Sequence, residues 1–267
     1  MLRSLQAMKN RSGQRGFSLV ELSIAMLIAL FLLGGLVTLV MGSRRTNATQ
    51  TAISQLQYNQ RIAMTLITNV VQKAGYFPDP TQQWLASFTA ESALAGYTFP
   101  ASQVVGGLFN VGAPASDRLL VRFYAPANDA NSAVIDCGGQ SNTTNSTNVW
   151  YTNAFRVRLV NGTSWLQCET RTSNNPATLL TINLIPNVTN LTVLYGVSSS
   201  ATGNDFTIVQ WLNASQMSAV NWTNVTAVKV TLTFLVPDYS KTGGQMTTNT
   251  SFFTRVIPIM SRAGVDT

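Results

Sequence analysis

The chain contains no histidine, and only 10% of its 267 residues are charged, against a usual share of about 25%. Without histidine, the commonest general base and the commonest metal ligand are missing, and no Ser-His or Cys-His nucleophile pair can be assembled. Two cysteines are too few for a Cys-rich zinc site. There is no P-loop and no dinucleotide fingerprint. Asp129-Ala130-Asn131 is too short for a calcium loop. The acids Glu21, Asp79, Glu91, Asp117, Asp129, Asp136, Glu169, Asp205, Asp238 and Asp266 carry nothing that marks two of them as a glycosidase pair. The expectation is a protein that is not an enzyme, with no cofactor and no metal. Proline is absent between Met1 and Phe77, so nothing there breaks a long helix.

The formal charge of +7 is unevenly placed. Arg3, Lys9, Arg11 and Arg15 stand before residue 17 with no acid among them. Residues 17–42 then read FSLVELSIAMLIALFLLGGLVTLVMG, with Glu21 as the one ionisable side chain. At ~1.5 Å per residue this run is roughly 39 Å long, enough to cross ~30 Å of hydrocarbon. It is too long for the apolar core of a secretory signal, about 7–15 residues. The basic tail predicts that residues 1–16 stay cytoplasmic and that the rest is exported; Arg44 and Arg45 oppose this, two charges against four. An acid inside such a span is costly. Glu21 therefore sits near the interface or has a positive partner in another molecule.

Gly16-Phe17-Ser18-Leu19-Val20-Glu21, after a short basic leader and opening an apolar run, resembles the class III signal of type IV prepilins. That resemblance implies cleavage between Gly16 and Phe17 by prepilin peptidase, N-methylation of Phe17, and a role for Glu21 as the subunit-assembly charge. A glycine before the scissile bond leaves the backbone open to a protease. The new amine on Phe17 would pair with Glu21 of a neighbouring subunit, since a charge left unpaired in a filament core is expensive. In place of the proline that major pilins often carry deeper in the span stands Thr38, with Gly34-Gly35 as the local weak point.

After the span, Ile53, Leu56, Ala63, Leu66, Ile67, Val70 and Val71 recur at helical spacing, with Gln55, Gln57, Asn59, Gln60 and Arg61 between them. The helix is predicted to run from Phe17 to about Ala74, stopped by Gly75 with Pro78 beyond. Past residue 80 the period changes. Leu119, Val121 and Phe123, then Phe155, Val157 and Leu159, then Val228 to Val236 alternate with polar residues and read as half-buried strands. Further strands are expected at 164–171, 188–197, 205–212 and 250–259. Asn161-Gly162 is a hairpin signal, and Gly243-Gly244 a second turn. Residues 137–148 read as a polar surface loop, and residues 80–116 are ambiguous between helix and irregular structure. The Asn-x-Ser/Thr triplets at Asn142, Asn187 and Asn221 follow from composition, and no glycan is assigned.

The expected fold is α+β: a long N-terminal helix, first membrane-spanning and then amphipathic, packed on an antiparallel β-sheet head. The expected divisions are a cleaved leader (1–16), a membrane or filament-core half-helix (17–42), an amphipathic half-helix (43–75) and a periplasmic head (76–267). In that oxidising compartment a Cys137–Cys168 disulfide is the default, the alternative being two reduced core thiols. Arg118, Arg122, Arg156 and Arg158, near Tyr124, Trp150 and Tyr151, would project from the solvent side of their strands. As a nucleic-acid surface they are a disfavoured reading; solvated strand faces are the ordinary one.

Lys73-Ala74-Gly75-Tyr76-Phe77, Leu191 to Val197, the Val228–Val236 strand and Arg255-Val256-Ile257-Pro258-Ile259 resemble, in order and spacing, the PilW minor pilin family. The resemblance implies a part in initiation, assembly or the tip complex of a type IV pilus. Its implied partners are prepilin peptidase, other minor pilins, the major pilin, and inner-membrane lipid before assembly. The implied location is the inner membrane, with the head in the periplasm, and then the assembled pilus. The rival readings are a minor pseudopilin of type II secretion and a pilus-tip adhesin or DNA-binding module.

Overall fold

An uninterrupted helix, α1 (Leu19–Gln72), opens the computed structural model, which describes residues 16–79, 87–131, 133–199, 207–237 and 246–262. The chain divides into two units, Met1–Gln50 and Thr51–Thr267. In the first, the apolar side chains from Phe17 to Met41 are exposed, and this helix is long and apolar enough to cross a membrane. It continues unbroken through Gly34-Gly35, where Thr38 donates its hydroxyl to the Gly35 carbonyl at 2.8 Å. Thr46 and Thr49 bond back to Gly42 and Arg45 in the same way.

In the second unit, Ala63, Met64, Ile67, Val70, Val71 and Ala74 form the buried stripe of α1, the expected 3.6-residue face. Two members differ from expectation. Ile53 is exposed, and Gln60 is buried in its stead. Gln60 lies on the line of Ala63, Ile67 and Val71, and its amide donates to Ser251 Oγ at 3.0 Å, so burial leaves no unsatisfied donor. The helix ends where Gly75 takes φ +74°, as the sequence indicates.

The head holds two antiparallel sheets. The first has the order β3 (Val105–Val111), β4 (Ser116–Ala125), β5 (Val149–Val160), β6 (Thr163–Thr172), β7 (Asn175–Pro186). The second has the order β11 (Met246–Pro258), β10 (Val225–Pro237), β8 (Val188–Ser198), β9 (Ile208–Leu212). A small hairpin, β1 (Glu91–Leu94) and β2 (Tyr97–Phe99), precedes them, and a short helix α2 (Ala219–Thr223) precedes β10. The inner residues Leu119, Val121, Phe123, Phe155 and Leu166 of the first sheet meet Leu191, Val193, Tyr195, Val228, Val230, Leu232 and Phe234 of the second, and the α1 stripe, in one core. Tyr195 reaches across to donate to the Gly106 carbonyl at 3.2 Å. A Cβ on Gly107 would lie 1.9 Å from its hydroxyl, so only glycine permits this approach.

Asn161 and Gly162 carry φ +49° and +79°, both left-handed, as a two-residue hairpin turn between β5 and β6 requires. Gly243-Gly244 and all but the last residue of the leader lie outside the described residues. Several elements go beyond the expected ones. Strand β7, and strands β1 to β3 within the ambiguous 80–116 stretch, add to those expected. Leu159 is exposed, although its alternation places it inward.

The disulfide Cys137–Cys168 is formed, with 5.9 Å between Cα atoms, and both residues are buried. It ties the long β4–β5 connection to β6. That connection is less of a surface loop than its polarity suggests. Asn142 is buried and donates to the carbonyls of Pro126 and Thr147, and the Asp136 carboxylate accepts from the amides of Gly138 and Gln140. Replacing both cysteines by alanine is expected to cost about 3–4 kcal/mol on the chain-entropy account, or roughly 10 °C in Tm. Thermal melts of the full chain in detergent, oxidised against Cys137→Ala/Cys168→Ala, would measure it; a shift under about 2 °C would contradict it.

Candidate functional site

Two places carry chemistry that the core does not need. The first is the start of α1. Glu21 lies in its first turn, where a carboxylate is favoured by the unpaired amides of the helix end. Just before it, a Cβ built on Gly16 meets nothing within 4 Å, and Phe17 is 83% exposed. The residues that a processing enzyme would have to reach thus stand open, one helical turn ahead of the single acid in the apolar run. The Leu22 amide bonds the Ser18 carbonyl at 3.1 Å, so the helical pattern begins immediately after Phe17.

The second place is the outer face of the first sheet, and here the structure corrects the sequence reading. The alternation of β4 and β5 holds, yet Arg122 does not face solvent: its side chain is fully buried. The cover is the segment 88–104, including the β1–β2 hairpin, which lies against that face. Arg122 donates through Nε to the Gln103 carbonyl at 3.0 Å, through Nη1 to Thr89 at 2.7 Å and through Nη2 to Pro100 at 3.1 Å. Its guanidinium stands 4.4 Å from the Phe99 ring centroid and 5.4 Å from that of Phe88. Glu91 is 3.7 Å away and forms a closer pair, 2.7 Å, with Arg171; Thr152 also donates to it. Burial pulls the Arg122 guanidinium down to about 10, with Glu91 acting in the opposite sense. It therefore remains a cation at neutral pH.

The other arginines of this face are placed differently. Arg156 pairs with the buried Glu169 and donates to Gln167 at 3.3 Å. Arg118 is half-buried and donates to the Ala95 carbonyl at the hairpin tip. Arg158 is exposed. Of the aromatics that their sequence position associates with them, Tyr151 turns to the inner face, opposite Phe123, while Tyr124 and Trp150 share the outer face of Arg122 but are packed with each other and with Phe77 and Phe88. A continuous basic and aromatic track is therefore not assembled. Among the described residues, no three His, Cys, Asp or Glu side chains lie together as a metal site.

A long apolar helix that opens on a glycine, a phenylalanine and a lone acid, and continues into an antiparallel β head, defines a pilin-class protein. The comparisons agree with that class. Residues 127–255 match the family model described as Type IV Pilus-assembly protein W, and residues 11–37 match the prokaryotic N-terminal methylation motif. The two matches together support a type IV pilus minor pilin with a class III leader, PilW-like in its head. The chain is a structural protein, membrane-anchored by α1 before assembly, whose leader makes it a substrate for prepilin peptidase and whose class associates with other pilins.

Among solved structures, the chain is similar to the type IV-like pilin TTHA1219 from Thermus thermophilus, at 12% identity over 78% of this chain and 97% of that one, with a TM-score of 0.46. It is also similar to a chain in the GspK-GspI-GspJ complex from the enterotoxigenic Escherichia coli type 2 secretion system, at 15% identity over 76% of this chain and 96% of that one, with a TM-score of 0.38. No curated protein sequence matches the chain.

Proposed function

We propose that prepilin peptidase cuts the Gly16–Phe17 bond on the cytoplasmic side of the inner membrane, that the new Phe17 amine is methylated, and that Glu21 pairs with such an amine on a neighbouring subunit. The head then lies in the periplasm, and the chain acts with other minor pilins in initiating or capping the pilus that the major pilin extends. The mechanism is an exchange of lipid contacts for helix–helix contacts. A head-to-tail interface that does not close on itself yields an open helical array. The observation that carries this reading is the lone carboxylate of Glu21 at the start of an otherwise uncharged apolar helix. Such a charge is tolerated in a membrane or filament core only with a counter-charge.

The test is the mass of the chain recovered from sheared surface filaments, in strains with and without prepilin peptidase. With the enzyme, the chain is expected to begin at methylated Phe17; without it, the leader is retained and the chain is missing from filaments. A filament-borne chain that still carries Arg3 to Arg15 would overturn the reading.

A further inference from the structure

Five arginines and two glutamates occupy the outer face of the first sheet and its hairpin cover. Both glutamates are already committed, Glu91 to Arg171 and Arg122, Glu169 to Arg156. The hairpin hides Arg122 and most of Arg171 and ends at Ala95 against Arg118, so three guanidiniums collect along its margin. The register that pairs Leu119 with Phe155 sets Arg118 and Arg156 side by side on adjacent strands, and Arg158 follows two residues along β5, opposite Trp165. Like charges so placed destabilise a sheet. Burial and then the fields of Arg158 and Arg118 push the Arg156 guanidinium below its ordinary value, against the pull of Glu169. Arg158 itself has no hydrogen bond or ion pair among the described residues. Arg118 holds the hairpin tip through a neutral carbonyl, and among the described residues neither Arg118 nor Arg158 has an ion-pair partner.

We propose that the Arg118–Arg156–Arg158 margin is a docking site for an acidic segment, carrying two or more carboxylates, on the head of another pilin. This rests on the reading of the chain as one pilin among several. Guanidinium forks suit carboxylates held in bidentate pairs. The patch is also compact. Beyond Arg156 the transverse row continues as Gln167 and Asn183, joined by a hydrogen bond of 2.6 Å, and both are neutral. A nucleic-acid strand requires an extended basic groove with a row of stacking aromatics; Trp165, opposite Arg158, is a single ring, and Tyr124 and Trp150 are taken up in packing with Phe77 and Phe88. Charge complementarity with a short acidic loop is what the surface offers.

The experiment uses the full processed chain in uncharged detergent micelles and a fluorescent peptide of alternating Glu and Ser with four Glu. Saturable binding is expected, weakening by about tenfold or more as salt rises from about 50 to about 500 mM. Arg158→Gln is expected to weaken it at least about fivefold and Arg158→Lys to restore only part, because lysine lacks the fork. Arg158 is exposed, so its variants should melt with the parent and any loss is a loss of recognition. Peptide binding unchanged in Arg158→Gln overturns the proposal. So does tighter binding of a thymidine 20-mer than of the peptide, or displacement of the peptide by phosphatidylglycerol vesicles. If filament-borne chain begins at Phe17 while no peptide binds, only the docking site fails; a retained leader instead removes the assembly reading beneath it.

Discussion

Glu21→Val is expected to leave the chain cut at Gly16–Phe17 and inserted in the membrane, while its amount in sheared filaments falls by more than roughly tenfold. On the proposed pairing, the loss comes from the neighbour. Its Phe17 amine, once brought into an apolar filament core, would have no counter-ion. Insertion itself should improve, because valine removes the acid that opposes partition. That sign difference separates an assembly role from a merely interfacial one: a residue that only anchors α1 at the headgroups would change insertion and leave filament content alone. Glu21→Asp supplies the intermediate case, keeping the charge on a shorter arm. The measurement is quantitative immunoblotting of membrane and filament fractions, and equal filament content for parent and Glu21→Val would remove Glu21 from the mechanism.

The second large effect is expected at Arg122. Arg122→Met keeps an unbranched apolar stem between the Phe88 and Phe99 rings but leaves the carbonyls of Thr89, Pro100 and Gln103 without their shared donor. Breaking such a buried charged network typically costs about 3–5 kcal/mol. The damage should be local at first, freeing the segment 88–104 and exposing the outer side of β4. Hydrogen exchange of the full chain in detergent would show faster exchange at Leu94 and Phe99, with little change at Val230 and Leu232 in the second sheet. A denaturation midpoint within about 1 kcal/mol of the parent would show that the segment is held by its apolar contacts alone. Since Arg118 bonds the same hairpin at its tip, through the Ala95 carbonyl, it does not substitute for Arg122.

Arg122 also shows where a linear reading reaches its limit. Alternation identifies which side of β4 each residue takes, and Leu119, Val121 and Phe123 do face the core. It does not say what covers the other side. The covering hairpin comes from residues 88–104, a stretch whose short strands carry no sustained period, so a nominally solvent-facing arginine becomes one of the largest fully buried side chains. Leu120 is buried for the same reason, packed with Leu94, Phe99 and Ala154. Strand β7 is a different case: it is a sheet edge with Leu179 exposed, and Leu180, Ile182 and Leu184 alternate with Thr181 and Asn183, so its pattern was present in the sequence although no strand was expected there. By contrast, the helix stop at Gly75, the Asn161-Gly162 turn and the Cys137–Cys168 bridge were legible, since each depends on a local backbone requirement or on the redox setting. The reading of Gly16, Phe17 and Glu21 rests on a spacing that an apolar helix has no reason of its own to contain.

The end of α1 bears on how a thin fibre withstands pulling. The Gly75 amide bonds the Arg122 carbonyl at 2.9 Å, and the Ser261 hydroxyl bonds the Ala74 carbonyl at 2.6 Å. Strand β4, which carries Arg122, is interior to its sheet, flanked by β3 and β5. Tension delivered along the Thr51–Gln72 part of the rod therefore enters the head at a strand braced on two sides, where rupture would demand shearing many ladder bonds together instead of unzipping them singly from a margin.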